Sequence, residues 1–376
     1  MKSYMKVAIA ARFRMSSSNG VDRTIEGHLH GMLARGYEVT FLTIEPPRGR
    51  EAEELEKIGV DIRILPSNPL QYFWACFRER HQYDLLCLHS VFTPHNWLSA
   101  LAINCPRIIT PNGGYSPAQI RYRSRIKKTI ALWAYERRML EEALFVHVLS
   151  QNEVEQLKLV APRARAVIAP NGYDSEARSH RAQAPSQDEK VHLLFIGRVA
   201  LMHKGLDLLV RALSELPDNL GWQLDVIGPD EPGALKTLEA IMNGSGVEKK
   251  IRFHGPLYGD DKMEFINRAD IFVHTSRYEG MPFAVIEAMA EGLPVLITSG
   301  TNMADLVQRQ EAGWIVSDEV TSEELEEIIS LTPLDIKKRG LGARRLIEEE
   351  LDWKKISTTI FTEVEERLKS NNASLS

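Results

Sequence analysis

Short apolar runs alternate with longer amphipathic stretches along the whole chain, and this alternation restricts the possible folds more than any other feature. The runs have the length of strands, as in Val7–Ala10 and Val191–Gly197. The stretches between them have the length and polarity of helices, as from Asp22 to Arg35, where Gly36 is well placed to end the helix. Apolar strands joined by helices indicate parallel sheets with helices on both faces. The sequence therefore predicts an α/β fold.

The pattern divides into two halves that begin in the same way, with a strand, a loop and a helix. Residues 176–189 are polar and lack large apolar side chains, so they are predicted to be a linker. The predicted domains are 1–175 and 190–350, each a doubly wound parallel sheet. The predicted strands are Val7–Ala10, Glu38–Thr43, Val60–Leu65, Leu85–His89, Arg107–Thr110, Val146–Ser150 and Ala166–Gly172, then Val191–Gly197, Gln223–Gly228, Ile251–His254, Ile271–Thr275, Pro294–Ser299 and Trp314–Val316.

Charge and cysteine content exclude several classes of protein. The 376 residues carry a formal net charge of −5, so the basic footprint of a nucleic-acid-binding protein is absent. The three cysteines show no metal-binding or disulfide spacing, which is typical of reduced thiols in a cytoplasmic protein. The sequence shows no signal peptide and no apolar run long enough for a membrane span. A cytoplasmic protein is therefore expected.

Two glutamates follow a predicted strand of the second half. Glu279 lies in the loop after Ile271–Thr275, and Glu287 lies about one turn into the next helix. At this spacing both side chains can face a ligand at the helix N-terminus, where free backbone N–H groups favour an anion such as a diphosphate. The alternative is that both glutamates are solvated.

Two cations lie in one loop that follows the strand Val191–Gly197. The Arg198 guanidinium is a planar fork and the Lys204 ammonium is a point charge, and together they suit two phosphate groups. The alternative is a pair of exposed loop cations. No Asp-x-Asp, GxGxxG or P-loop motif is present, so the sequence supports neither a metal-chelated diphosphate nor a dinucleotide or NTPase site.

In this order the two groups of residues closely resemble glycosyltransferase family 4, and the resemblance spans nearly the whole chain. Its most specific part is the family's Glu-x7-Glu element, from Glu279-Gly280 to Glu287 and on to Gly292 and Pro294-Val295. Further matching segments are Ser18–Arg23, Ala169–Asp174 and Gly197–Gly205. The resemblance implies GT-B architecture: two Rossmann-like domains that face an interdomain cleft, with C-terminal helices at 351–370 crossing back to the first domain.

The resemblance also assigns roles to individual residues. It implies that Arg198 and Lys204 hold and stabilise the leaving diphosphate, that Glu279 contacts the donor sugar, and that Glu287 binds the ribose. These assignments make Glu279, Arg198 and Lys204 the predicted catalytic residues. The predicted donor-binding residues are Gly20, Asn112, Arg198, Lys204, Glu279, Gly280, Met281, Phe283 and Glu287. No metal site and no cofactor are implied.

The chain departs from the family where many relatives have a histidine after a strand, because Asn112 stands there. An asparagine can hydrogen-bond a sugar hydroxyl but cannot shuttle a proton at pH 7. His89 and His95 flank a loop expected to face the cleft and are predicted candidates for acceptor contact.

A basic segment lies on a predicted helix that also carries apolar residues. Such a segment can dock on anionic lipid and bring the cleft to a lipid-linked acceptor, so peripheral contact with the inner membrane face is one interpretation. The alternatives are a solvated helix face and a site for an anionic acceptor. The basic residues are Arg121, Arg123, Arg125, Lys127 and Lys128, followed by Arg137 and Arg138.

The prediction is a retaining, metal-independent glycosyltransferase. It would move a hexosyl group from a UDP- or GDP-sugar to a saccharide or lipid-linked acceptor, in cell-surface polysaccharide or glycoconjugate biosynthesis. One alternative is a nucleotide-sugar epimerase of the same architecture. The other is a non-catalytic subunit that keeps the fold as a scaffold.

Overall fold

The computed structural model describes residues 4–11, 20–45, 55, 57–121, 125–174 and 190–373. The chain divides into two compact units. Unit 1 comprises Met1–Gly172 and Trp353–Ser376, and unit 2 comprises Tyr173–Asp352. Each unit is a parallel β-sheet covered by helices, so the predicted doubly wound α/β fold is confirmed.

The sheet of unit 1 has the strand order β3-β2-β1-β4-β5-β6-β7, and every neighbouring pair is parallel. Its strands are β1 (Lys6–Ala10), β2 (Glu38–Thr43), β3 (Asp61–Ile64), β4 (Leu85–His89), β5 (Arg107–Thr110), β6 (Phe145–Val148) and β7 (Ala166–Ile168). Its helices are α1 (Gly20–Ala34), α2 (Pro69–Arg78), α3 (Pro94–Ala102), α4 (Pro117–Arg121), α5 (Arg125–Ala131), a π-helical turn (Leu132–Glu136), α6 (Arg137–Glu141), α7 (Gln151–Val160) and α16 (Trp353–Ala373).

Both faces of this sheet are buried, because successive strand residues point to opposite sides. Val7 and Ile9 of β1 contribute to the core under α1 and α16. Ala8 and Ala10 of the same strand contribute to the core under α2 and α3. Continuous apolar strands are what two-sided burial requires, which explains why the strands could be recognised from sequence.

Helix α16 closes one face of unit 1 although the chain passes through unit 2 before reaching it. It packs on α1 at two glycines: a Cβ on Gly27 would lie 2.3 Å from the Trp353 ring, and one on Gly31 equally close to Ser357. Glu365 of α16 accepts hydrogen bonds from Arg35 at 2.9 Å and from the Tyr37 hydroxyl at 2.6 Å. This helix therefore belongs to the core of unit 1.

The sheet of unit 2 has the strand order β10-β9-β8-β11-β12-β13, also parallel throughout. Its strands are β8 (Val191–Ile196), β9 (Trp222–Ile227), β10 (Ile251–Phe253), β11 (Ile271–His274), β12 (Val295–Ile297) and β13 (Gly313–Ile315). Its helices are α8 (Leu201–Lys204), α9 (Leu206–Ser214), α10 (Ala234–Met242), α11 (Gly259–Arg268), α12 (Phe283–Ala290), a 3-10 turn (Ser299–Thr301), α13 (Ala304–Arg309), α14 (Ser322–Ile329) and α15 (Pro333–Glu349).

The structure differs from the sequence prediction in two places. The segment predicted as a loop up to Lys204 contains the short helix α8, which Gly205 ends in a left-handed conformation. The predicted basic helix is interrupted by the π-helical turn Leu132–Glu136 between α5 and α6. The predicted linker 176–189 and most of the first loop, residues 12–19, lie outside the described residues. Among the helices of the described part, none is both long and apolar enough to cross a membrane.

Candidate functional site

Lys204 and Glu279 meet beyond the carboxyl ends of β8 and β11, which are neighbours in the sheet of unit 2. Lys204 Nζ forms an ion pair with Glu279 Oε1. Ser276 Oγ donates to the same oxygen at 3.3 Å. The relative solvent exposure is only 14% for the Lys204 side chain and 13% for the Glu279 side chain. Sequence reasoning placed them in separate loops, and the strand order brings them together.

Two histidines complete the surroundings of the Glu279 carboxylate. His203 Nε2 lies 3.5 Å from Glu279 Oε2, and its ring stacks on Tyr278 with 4.7 Å between centroids. His274 Nε2 lies 3.6 Å from Glu279 Oε1 and 3.5 Å from Lys204 Nζ. The carboxylate is therefore approached by nitrogen atoms on both oxygens.

These neighbours decide the charge state of the site. Burial by itself raises the pKa of Glu279, but Lys204 and then His203 and His274 outweigh it and hold the pKa well below its usual range. Burial, followed by the positive charge of Lys204, lowers the pKa of His274 to about 4. At neutral pH the site thus holds a carboxylate, an ammonium and a neutral imidazole at His274.

The backbone around Lys204 is fixed by Gly205, whose φ is +65°. A Cβ at this position would lie 2.0 Å from the carbonyl oxygen of Thr275, so only glycine permits this close approach. On the opposite side, Asn302 Nδ2 donates to the backbone oxygen of Glu279 at 2.6 Å. Both backbone segments that carry the ion pair are therefore held in place.

Arg198 lies exposed just beyond β8, and within the described part of the chain its guanidinium has no ion-pair partner. Arg277 differs, because its guanidinium is bound to both oxygens of Asp207 at 2.8 Å each. Of these two arginines, Arg198 is the one whose donors are available to a ligand.

Glu287 lies on α12, which begins at Phe283 directly after Pro282. Its carboxylate is 3.3 Å from Lys262 Nζ of α11, and its side chain is 15% exposed. Gly280 and Phe283 are partly exposed at the start of the helix, whereas Met281 is buried. Glu287 thus has its own ammonium partner, separate from the Lys204–Glu279 pair.

The candidate residues of unit 1 lie beyond the carboxyl ends of its strands. Gly20 is the exposed first residue of α1. Asn112 follows β5 with φ +51°, and its Nδ2 donates to the backbone oxygen of Thr110 at 3.4 Å. The buried Oδ1 of Asn112 accepts no hydrogen bond from the described residues. The Asn112 carboxamide therefore has unused acceptor capacity.

The two histidines predicted for acceptor contact differ in their surroundings. His89 ends β4 with 1% exposure, and its ring lies 5.0 Å from that of His28, which lies 5.1 Å from that of His147. Burial, followed by His147, lowers the pKa of His89 to about 3, so it is neutral at pH 7. His95 is half-buried on α3 against Tyr72. Acceptor contact by either histidine stays a prediction.

Within unit 2 the structure brings Arg198, Lys204 and Glu279 to the ends of neighbouring strands, with Glu287 on the helix that follows. Sequence reasoning missed His203, Lys262 and Asn302 as neighbours of these residues, because no local pattern links residues that are distant in the chain. Among the described residues there is no group of three or more side chains placed to hold a metal ion.

Comparison with known proteins gives two family matches that are adjacent along the chain. The family model described as "Glycosyltransferase Family 4" matches residues 18–177, and that described as "Glycosyl transferases group 1" matches residues 176–339. An uncharacterized glycosyltransferase of Methanocaldococcus jannaschii is 24% identical over an alignment 326 residues long that covers 77% of this chain and 79% of that protein. The lipopolysaccharide glucosyltransferase WaaG of Escherichia coli is 29% identical over 34% of this chain and 33% of WaaG.

Solved structures share the fold of this chain. Anabaena HepE in complex with UDP-glucose has a TM-score of 0.77 at 18% identity, covering 96% of this chain and 100% of HepE. WaaG has a TM-score of 0.67 at 18% identity, covering 94% and 98%. At this level of identity the similarity shows the fold.

Proposed function

The chain belongs to glycosyltransferase family 4 and is a glycosyltransferase of GT-B architecture, and on this premise we propose what it transfers and how. It moves a hexosyl group from a nucleoside-diphosphate sugar to an acceptor hydroxyl, with retention of anomeric configuration and without a metal ion. The observation that carries this proposal is the Lys204–Glu279 pair, with Arg198 beyond the same strand ends and not paired to any carboxylate of the described residues.

In this proposal the diphosphate of the donor is held by Arg198 and Lys204. The bond between the anomeric carbon and the phosphate oxygen breaks, and its electron pair leaves with the diphosphate. The partly buried Lys204 and the exposed Arg198 together stabilise that developing charge. Because Lys204 is paired with Glu279, the incoming phosphate takes over the ammonium and leaves the carboxylate facing the sugar.

Glu279 then contacts the sugar at the centre where positive charge develops. The acceptor oxygen forms the new bond on the face from which the diphosphate departs, and its proton passes to a phosphate oxygen of the leaving group. This front-face route needs no proton shuttle from the protein, which agrees with an asparagine at position 112. Glu287 binds the ribose hydroxyls, and Gly20 and Asn112 contact the donor from unit 1.

A UDP-sugar is the first donor to test, with a GDP-sugar as the second. The similarity to HepE, which was solved with UDP-glucose, supports the first choice. The similarity to WaaG, a lipopolysaccharide glucosyltransferase, supports an acceptor in cell-surface glycoconjugate synthesis. His89 and His95 remain the candidates on the acceptor side.

Peripheral membrane contact from the cytoplasmic side is a further part of the proposal. On α5 and the π-helical turn, the apolar residues Ile126, Ile130 and Trp133 are exposed, Trp133 by 88%. Lys127 is exposed beside them, and Lys128 is half-buried. The side chains of Arg121, Arg123 and Arg125 lie outside the described part of the structure. Apolar side chains with neighbouring cations suit a surface of anionic lipid.

Lipid binding is tested by sedimentation with vesicles of phosphatidylcholine alone and with added phosphatidylglycerol. The protein should sediment with the anionic vesicles, and Trp133→Ser with Ile130→Ser should weaken this binding about tenfold. Binding that is unaltered by the double substitution would contradict the proposed surface.

The transfer proposal is tested with purified full-length protein. UDP-glucose, UDP-galactose and GDP-mannose are each supplied with a panel of octyl glycosides, and product and released nucleotide are measured. Sugar conversion without an acceptor would indicate the epimerase. A wild-type protein that neither hydrolyses nor transfers any donor would favour the non-catalytic scaffold.

Lys204→Ala is the diagnostic variant, and Lys249→Ala is its control, since Lys249 is an exposed lysine of the same unit. Only the first substitution should abolish turnover. Equal turnover in both variants would remove Lys204 from the site.

A further inference from the structure

Glu136 is a buried carboxylate that joins two loops of unit 1. It is 1% exposed and ends the π-helical turn. Its Oε1 accepts a hydrogen bond from the backbone N–H of Phe92 at 2.7 Å, and its Oε2 accepts one from the Tyr115 hydroxyl at 2.5 Å. Phe92 belongs to the loop 90–93 after β4, and Tyr115 to the loop 111–116 after β5. One side chain therefore connects the carboxyl ends of two adjacent strands.

Both loops contain residues other than glycine in the left-handed region. Ser90 has φ +70°, Phe92 has φ +56° and Asn112 has φ +51°. Such conformations are costly for residues with a Cβ and persist only where surrounding contacts hold them. The N–H of Phe92 is at a strained position, and Glu136 supplies its acceptor.

The two loops also contact each other directly. The N–H of Ser90 donates to the Thr110 oxygen at 3.0 Å, and the rings of Phe92 and Tyr115 meet edge to face at 5.8 Å. A Cβ on Gly114 would lie 2.2 Å from the Val91 side chain, so a larger residue at this position would have to displace that side chain. The two loops therefore pack against each other, and Glu136 contacts both of them from the helical segment 125–141.

Glu136 lies on the buried side of the helical segment 125–141. Trp133 is 88% exposed, whereas Glu136 is 1% exposed. Leu132, Glu136, Met139 and Leu140 follow the i, i+4, i+7, i+8 spacing of one helical face, and the π-helical turn lies within this stretch. Single π turns of this kind occur often at functional sites.

We propose that Glu136 is a positioning residue that fixes loops 90–93 and 111–116 in the conformation that binds the acceptor. This inference rests on the proposed function, in which unit 1 supplies the acceptor side. Glu136 acts through Phe92 and Tyr115 and does not itself contact the substrate.

Hydrogen exchange on the full-length protein tests the structural half of the proposal. Glu136→Ala should raise the exchange rate of peptides covering both loops by at least about tenfold, while peptides of unit 2 keep their rates. Glu136→Gln retains an acceptor oxygen and should stay within about threefold of the wild-type protein. Glu142→Gln, an exposed surface substitution on the next turn, is the matched control. Unchanged exchange of the two loops in Glu136→Ala would overturn the proposal.

Kinetics tests the functional half, with UDP-glucose or GDP-mannose as donor and octyl glycosides as acceptors. Glu136→Ala should raise the acceptor KM at least about tenfold, and Glu136→Gln should largely restore the KM. Because loop 111–116 also carries the donor contact Asn112, hydrolysis of the donor by water should change too, but by less than about fivefold. If Glu136→Ala does not fold, Tyr115→Phe, which removes one donor to Glu136, should raise the acceptor KM about threefold.

The outcomes separate this inference from the function on which it rests. An acceptor KM equal to that of Glu142→Gln, in a wild-type background that does transfer sugar, overturns the inference alone. A parallel fall of hydrolysis and transfer would show general damage and overturns it as well. Absence of any wild-type transfer removes the proposed function and the inference together.

Discussion

The two sheets have similar folds, but the carboxylates at their carboxyl ends have different kinds of partner. In unit 2, buried carboxylates meet cations: Glu279 meets Lys204, and Glu287 meets Lys262. In unit 1, the buried Glu136 accepts hydrogen bonds from the neutral N–H of Phe92 and the neutral hydroxyl of Tyr115. Burial also keeps His28, His89 and His147 neutral there by lowering their pKa values.

This difference shows which kind of ligand each unit is able to receive. The cation of an ion pair can exchange its carboxylate partner for an anionic ligand and stay compensated. A region of neutral hydrogen-bonding groups would be destabilised by a new charge but suits hydroxyl groups. The difference supports the proposal that unit 2 receives the charged part of the donor and unit 1 the sugar acceptor.

The largest expected effect comes from removing the cations of unit 2. Lys204→Ala and Arg198→Ala should each reduce transfer at least about 100-fold, because losing a cation opposite the departing diphosphate costs roughly 3 kcal/mol of transition-state stabilisation. Steady-state rates with one donor measure this, with Lys249→Ala as control. Near-wild-type turnover in either variant would contradict the role assigned to that cation of unit 2.

A somewhat smaller effect separates the two glutamates of unit 2. Glu279→Gln should lower kcat roughly 30-fold, or about 2 kcal/mol, with KM little changed, because positive charge develops on the sugar only in the transition state. Glu287→Ala should mainly raise the donor KM, the signature of lost uniform binding. If Glu279→Gln altered only KM, or Glu287→Ala only kcat, the assigned roles would be wrong.

The buried Glu153 allows the effect of burial on a carboxyl group of unit 1 to be measured. Burial raises its pKa to about 7, although the backbone N–H groups of Leu149 and Gly113 oppose the shift. In the folded state the Glu153 carboxyl therefore keeps its proton up to about pH 7, whereas in the unfolded state it loses that proton above its ordinary pKa near 4.5. This contribution to stability is complete below about pH 4.5 and is lost as the pH rises through 7.

Glu153→Gln removes this dependence. Between pH 5 and pH 6.5 the free energy of unfolding of the wild-type protein should fall relative to that of Glu153→Gln by roughly 1.5 kcal/mol, as urea unfolding measures. The buried histidines act in the opposite direction below pH 6.5, but they are present in both proteins and cancel in the difference. Glu155→Gln, an exposed substitution on the same helix, should follow the wild-type protein. A difference that does not vary with pH would contradict the raised pKa.

The smallest expected effect is that of chelation. If Arg198 and Lys204 neutralise the diphosphate, excess EDTA should change the transfer rate by less than about twofold. A rate that collapses with EDTA and returns with magnesium or manganese would show that the cations of unit 2 are insufficient.

Much of the fold was predictable because two-sided burial makes each strand a continuous apolar run. The strands Glu38–Thr43, Leu85–His89 and Arg107–Thr110 agree with the prediction to the residue. The short helix at Leu201–Lys204 was not predictable, because its end depends on the left-handed Gly205 packed against Thr275. The role of Glu136 was not predictable for a similar reason, because its hydrogen-bond partners lie in two loops that are distant in the chain.

The candidate site was predictable as a set of residues and not as a set of contacts. The resemblance to a family selected Lys204 and Glu279 from their motifs. Their ion pair, and the approach of His203 and His274, depend on β8 and β11 being neighbours in the sheet. Strand order is a property of the whole unit that no single motif contains.

The packing of α16 on α1 also sets an order of events during synthesis. Phe361, Ile360 and Val364 are fully buried in unit 1, yet the ribosome makes them only after all of unit 2. Unit 2 is contiguous and is complete as soon as Asp352 has emerged. Unit 1 must wait, with the glycine face of α1 uncovered, until residues 353–373 arrive. The nascent chain therefore exposes an apolar surface throughout the translation of unit 2, which is the interval in which a chaperone has most to protect.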